Sequence, residues 1–189
     1  MEEMLKYKDF LDNIKKILNN NLDVFVYEIR NFIESQLIAK YIVSLTIKDN
    51  KIMEIAINEL LINSIEHGML EVNYSLKSQL LKNNQWDQYV EEKLKELPKN
   101  KCVKMFFKKT ATPNTILIEV LDGGKGFNLD FLQEKKRNSP SLEHHGRGGM
   151  LIELGLPNLK YNELANGAVF YLTCNIEKTN ENKSLPLSE

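Results

Sequence analysis

The sequence predicts a fold of the α/β class, of the α+β kind, and three observations carry that expectation. From Leu22 to Leu97 apolar residues recur at helical spacing. After Pro98 the period changes, and Cys102 to Lys108 and Thr115 to Leu121 form two short β-rich runs around the polar turn KTATPN. Beyond them, a short helical run after Gly149 and strand-like runs at Leu159 to Tyr161 and Ala168 to Asn175 complete the pattern.

Composition narrows the class of function. The chain has 189 residues, enough for one domain with a sizeable core. It is 42% hydrophobic and 27% charged, as a globular protein is. A net charge of −1 gives no basic field, so nucleic acid is not an expected partner. The two cysteines, Cys102 and Cys174, lie too far apart for a disulfide framework or a metal motif, and read as free core thiols in a reducing compartment. No apolar run is long enough to span a membrane, and the opening MEEMLKYKDF has no signal-peptide character, so the expected location is the cytoplasm.

In order along the chain, residues 1–21 carry Leu5, Phe10, Ile14, Ile17 and Leu18 at helical spacing. This segment is either an amphipathic helix docked on the domain or a partner, or a loosely held terminus. Leu22 to Ser44 reads as one long helix, capped by Asp23, with Val26, Ile29, Ile33, Leu37, Ala39 and Ile42 on its apolar stripe. Lys48-Asp49-Asn50 caps a second helix, which Gly68 ends. Residues 69–100 hold a helical insertion, divided at Asn83-Asn84. Trp86, the only Trp, either packs that insertion onto the domain or serves a partner. The hairpin follows, then a polar, irregular stretch over 128–145 with the character of a mobile loop. Residues 177–189 read as a disordered tail, and the main domain as 22–176.

The second helix contains NELLINSIEHG, Asn58 to Gly68. Glu59 and Asn63 stand one turn apart on one face, with His67 a turn further on. Ile52, Ile55, Ile57, Leu60, Leu61, Ile62 and Ile65 cover most of the rest, which marks a buried helix. A buried helix carries such a polar line only where something satisfies it. Glu59 and Asn63 either bond nearby backbone, or present a base and a Mg2+ ligand.

Two glycine-rich segments bracket the polar loop. In DGGKGF, Gly124 and Gly126 allow close approach or positive φ, and Asp122 is an acceptor suited to an exocyclic amine such as that of adenine. In HHGRGGML, Gly146, Gly148 and Gly149 precede a helix, where bare N–H groups attract anions, and Arg147 adds a cation. Neither segment is a P-loop or a dinucleotide-binding fingerprint. Each alone is more often an ordinary turn.

Together and in this order, Glu59-x-x-x-Asn63-x-x-x-His67-Gly68, Asp122-x-Gly124-x-Gly126-Phe127 and Gly146-Arg147-Gly148-x-x-Leu151-Ile152 resemble the ATP-binding domain of the GHKL superfamily. That superfamily includes histidine kinases, gyrase and MutL. Within it the chain looks most like the bacterial anti-sigma factor serine kinases, over roughly Leu22 to Ile176. The resemblance implies a two-layer sandwich, with helices on one face of a mixed, mostly antiparallel sheet. It implies ATP and Mg2+ as cofactors, Asn63 as the metal ligand and Glu59 as the catalytic base. It further implies Asp122 at adenine with Gly124 and Gly126 shaping the pocket, Phe127 and His67 among the cofactor-binding residues, residues 128–145 as a lid, and Gly146, Arg147, Gly148 and Gly149 at the phosphates.

The same resemblance implies a protein serine/threonine kinase that acts on an anti-anti-sigma (STAS-type) regulator and sequesters a sigma factor, with a possible homodimer. Two departures stand out. The region before Gly146 reads EHH where serine kinases of this group often carry an arginine, so the cation at the γ-phosphate is open among Arg137, His144, His145 and Arg147. The usual short link after His67-Gly68 is replaced by the helical insertion. These departures keep a second expectation in view, a non-catalytic ATP-dependent switch in a partner-switching pathway. No phosphoacceptor histidine stands in a dimerisation helix, so a complete sensor histidine kinase is not expected.

Overall fold

Alternating burial along four of the five strands builds one wet and one dry face of a single sheet. In the computed structural model, which describes residues 2–46, 50–126 and 147–175, the elements run α1 (Glu2–Leu18), β1 (Val24–Ile29), α2 (Phe32–Ser44) and α3 (Lys51–Asn63). A π-helical turn (Ser64–Met69) continues α3 and is followed by α4 (Tyr74–Lys82), α5 (Trp86–Glu96), β2 (Val103–Lys109) and β3 (Thr115–Leu121). The last elements are α6 (Arg147–Gly155), β4 (Lys160–Tyr161) and β5 (Gly167–Thr173). The expected lid, 128–145, and tail, 177–189, lie outside the described residues.

The sheet has five strands in the order β1-β2-β3-β5-β4. Every neighbouring pair is antiparallel, so the mixed sheet expected from the resemblance is corrected to an antiparallel one. Register puts Phe25 beside Phe107, Phe107 beside Ile118, and Ile118 beside Phe170. This row, with Val103, Met105, Ile116, Val120, Ala168 and Leu172, faces the helices and supplies the buried core. The opposite face carries Val24, Val26 and Tyr171 in contact with solvent, and the Lys108–Glu119 ion pair at 2.5 Å. The protein is thus an α+β structure with helices over one face of the sheet.

The expected single helix over Leu22 to Ser44 is corrected to a strand and a helix. Val24 to Ile29 alternates outward Val24, Val26 and Glu28 with inward Phe25, Tyr27 and Ile29, and pairs with β2. Asp23 is not the cap; Asn31 is, its side chain accepting from the Glu34 N–H at 2.9 Å. The N-terminal segment is helical and belongs to the core. Phe10, Ile14 and Ile17 are buried, and the Phe10 ring meets Phe107 edge-on at 5.4 Å and Tyr41 at 5.6 Å. The insertion forms two helices that break at Asn83-Asn84, as expected, and Val90, Trp86 and Leu94 pack it onto the core. Both cysteines are free and buried. Among the described residues, no helix is long and apolar enough to cross a membrane.

Candidate functional site

Of the expected site residues, Glu59, Asn63 and His67 lie on α3 and its π turn, and Asp122, Gly124 and Gly148 come to this helix from other elements. Asn50 caps α3 by accepting from the Met53 N–H at 3.0 Å. Ala56, Ile57, Leu60 and Leu61 bury the helix between its neighbours. Gly68 does not end the helix. The π turn carries through to Met69, with the Leu70 N–H bonding the Ile65 carbonyl at 2.8 Å. Single π turns are rare, and they recur at functional sites.

At the far end of this rod, Gly68 meets the loop after β3. A Cβ on Gly68 would stand 2.5 Å from Asp122 Oδ1, so only glycine fits there. Gly124 lies against Gly68 in turn: its own Cβ would come 2.7 Å from the Gly68 Cα. The Gly124 N–H donates to Asp122 Oδ1 at 2.7 Å, which leaves the second carboxylate oxygen without a hydrogen bond among the described residues. Gly126 takes φ +76°, and a side chain there would collide with the Leu164 carbonyl. Asn166 locks this loop: its side-chain amide donates to the Gly124 carbonyl at 2.9 Å, and its carbonyl accepts from the Asp122 N–H at 3.1 Å. No signal in the sequence marks that role, because the bond joins residues 42 positions apart. Burial pushes the Asp122 carboxyl above the usual aspartate value, against the Gly124 N–H and the His67 ring, which lower it.

At the near end, α6 crosses α3 antiparallel to it. Gly155 sits on Ala56 and the Ile52 carbonyl, and Gly148 on Glu59 and Asn63. A Cβ on Gly148 would stand 2.6 Å from Glu59 Oε2 and 3.9 Å from Asn63 Nδ2. The first turn of α6, with its free backbone N–H groups, therefore covers the carboxylate and the carboxamide. Gly149, beside it, faces open space. Glu59 and Asn63 are half-buried, and among the described residues neither side chain makes a hydrogen bond. Burial pushes the Glu59 carboxyl above the usual glutamate value; Lys77 opposes this and Glu66 adds to it. A raised pKa suits a group that must accept a proton near neutral pH.

The two ends are nine residues apart on a helical rod, about 13 Å at the helical rise. His67 lies between them, its Nδ1 2.5 Å from the Val72 carbonyl and its ring 4.6 Å from that of Tyr74. Since a carbonyl only accepts, Nδ1 carries the proton there. Phe127, Gly146 and the Arg147 side chain, with Arg137, His144 and His145, lie outside the described residues. So the structure brings together Glu59, Asn63 and Gly148 at one end, and Gly68, Asp122 and Gly124 at the other.

No protein-family model, curated protein or solved structure matches the chain. Among the described residues, no group of three or more His, Cys, Asp or Glu side chains could hold a metal ion. Glu59 and Asn63 offer two oxygen donors. Mg2+ typically takes one or two protein ligands and completes its shell with waters and phosphates, so this pair fits Mg2+ brought with a polyphosphate and not a stand-alone metal. A separate cavity of about 210 Å³ opens between α2 and α3, lined by Gln36, Lys40, Lys51, Glu54 and Asn58 among others, and none of Glu59, Asn63, Gly148 and Asp122 borders it.

Proposed function

We propose that the chain is an ATP-binding regulatory protein of the GHKL kind, acting as a serine/threonine-protein kinase. One observation carries the reading. Segments distant in sequence meet the same helix in the order that a nucleotide needs, with an amine acceptor at one end and a cluster of carboxylate, carboxamide and free backbone N–H groups at the other. Asp122 fits the adenine amine, because the Gly124 N–H occupies one carboxylate oxygen and leaves the other to accept. Gly68 and Gly124 let the helix and the Asp122 loop approach closely, where a Cβ would collide with Asp122 or with the Gly68 backbone.

At the other end the first turn of α6 would receive phosphates. Asn63 would hold Mg2+, which when bound neutralises charge building on the phosphoryl oxygens. Glu59 would accept the proton of a serine or threonine hydroxyl as that oxygen attacks the γ-phosphorus and the bond to the β-phosphate oxygen breaks, leaving ADP. The partners follow from the resemblance: an anti-anti-sigma (STAS-type) regulator as substrate, and a sigma factor as the sequestered protein.

A second reading, an ATP-dependent binding switch without phosphotransfer, draws on the docking of the α4–α5 insertion on the π turn, through Lys77 on Glu66 and Tyr74 on His67. Glu59→Ala separates the two. Under the kinase reading the variant binds ATP and transfers no phosphate to the regulator; under the switch reading partner control persists unchanged. The first test is a calorimetric titration with ATP, with and without Mg2+. Mg-dependent binding is expected, and the absence of heat under both conditions overturns the reading.

A further inference from the structure

The insertion is joined to the site helix through a buried charge. Glu66, on the π turn, has a side chain only 4% exposed. Its carboxylate accepts from Lys77 Nζ of α4 at 2.5 Å. The same ammonium stands 5.1 Å from the centre of the Trp86 ring of α5. Tyr74, at the start of α4, packs its ring on His67. Lys77 thus holds both insertion helices to the π turn.

Glu59 and Glu66 are two helical turns apart along one rod, about 10 Å at the helical rise, and the Lys77 ammonium acts on both. Among the described residues, the charged groups acting on Glu59 are Lys77 from α4 and Glu66 from its own helix, while α6 contributes the backbone of Gly148.

We propose that Lys77 is a positioning residue that couples docking of the α4–α5 insertion to occupation of the Glu59–Asn63–Gly148 end of the pocket, an inference that rests on reading that pocket as an ATP site. One cation serves two anionic places. Polyphosphate arriving beside Glu59 adds negative charge on that side and draws the ammonium away from Glu66 and from the Trp86 ring. The insertion loosens as the pocket fills, and by linkage a partner that grips the loosened insertion tightens ATP binding.

Trp86 is the only tryptophan of the chain, so its emission reports this event without a label. The experiment titrates Mg-ATP while recording tryptophan emission, with calorimetry on the same samples. The wild-type protein should change emission saturably at the calorimetric affinity. Lys77→Arg, which keeps the cation, should retain the response. The double variant Glu66→Gln, Lys77→Met, which removes both charges, should bind ATP and lose the emission change. If circular dichroism finds the double variant unfolded, Glu66→Gln with Lys77→Gln, whose two amides can bond each other, decides in its place. Heat of binding with flat wild-type emission overturns the coupling and leaves the pocket standing. An undiminished response in the charge-free variant overturns the role of Lys77. No heat in the wild type overturns the pocket reading, and the coupling falls with it.

Discussion

Gly148→Ala should make the protein more stable and less active. The added Cβ would stand 2.6 Å from Glu59 Oε2, whereas ordinary contact begins at 3.4 Å, so the carboxylate must retreat by about 0.8 Å. That atom is the free end of a flexible side chain, and the move is cheap for folding. Asn63, at 3.9 Å, need not move. Gly148 lies in a helix with an ordinary φ, so alanine gains helix propensity worth up to about 1 kcal/mol. In a chain of this size that raises Tm by about 2–4 °C. A displacement near 1 Å at a reacting group, by contrast, costs roughly 10²-fold in rate. The assay pairs a thermal melt with ATP turnover under Mg2+. Gly155→Ala is the control, because its Cβ would come 2.6 Å from the Ile52 carbonyl, part of a helix backbone that cannot yield. That variant should lose about 1–3 kcal/mol. Two results would refute the geometry: a loss of stability at Gly148 equal to that at Gly155, or unchanged turnover in a stabilised Gly148→Ala protein.

Other consequences follow from the same contacts. Asp122→Asn keeps an oxygen for the Gly124 N–H but turns a donor toward the ligand, so ATP affinity should fall about ten- to a hundredfold by calorimetry while the fold persists. Lys77→Met leaves the buried Glu66 carboxylate with only the His67 ring, Nε2 at 4.0 Å, as a partner, which should cost about 3 kcal/mol in denaturant melts, and adding Glu66→Gln should restore most of it. Glu59→Gln should melt higher than wild type at pH 7 and equal to it at pH 4. The folded carboxyl titrates above its ordinary 4.5, so the native state holds the proton more tightly than the unfolded chain does. The stability that this provides is complete below 4.5 and is lost as the pH rises through the folded value, leaving an ionised, half-desolvated Glu59 as a cost that glutamine removes. Equal melting at both pH values would show that burial does not strain this carboxylate.

What the sequence made legible was local. Asn50 caps a helix through a bond three residues away, and Asn83-Asn84 breaks the insertion with Asn84 at φ +54°. Both depend on neighbours that the sequence places side by side. Val24 to Ile29 misled because Val26, Ile29 and Ile33 also satisfy helical spacing, and the competing alternation of Phe25, Tyr27 and Ile29 gains only when β2 stands beside it. That pairing joins residues about eighty positions apart, so no local pattern announces it. The Glu66–Lys77 pair and the Asn166 lock were hidden for the same reason, since each joins separate elements.

The π turn shows why the motif spacing alone could not give the geometry. In a regular α-helix, positions four apart drift by about 40° around the axis. Glu59, Asn63 and His67 would spiral away from a straight line, and Gly68 would swing further. From Ser64 the bonds reach back five residues, and the winding per residue slackens. The slack offsets the drift, so one rod can meet α6 at Glu59 and the Asp122 loop at Gly68. The cost is a weaker turn at the end of the rod, and the structure braces it there: Glu66 is tied to Lys77, and His67 to the Val72 carbonyl and the Tyr74 ring. The insertion therefore braces the turn that carries Gly68 to the Asp122 loop.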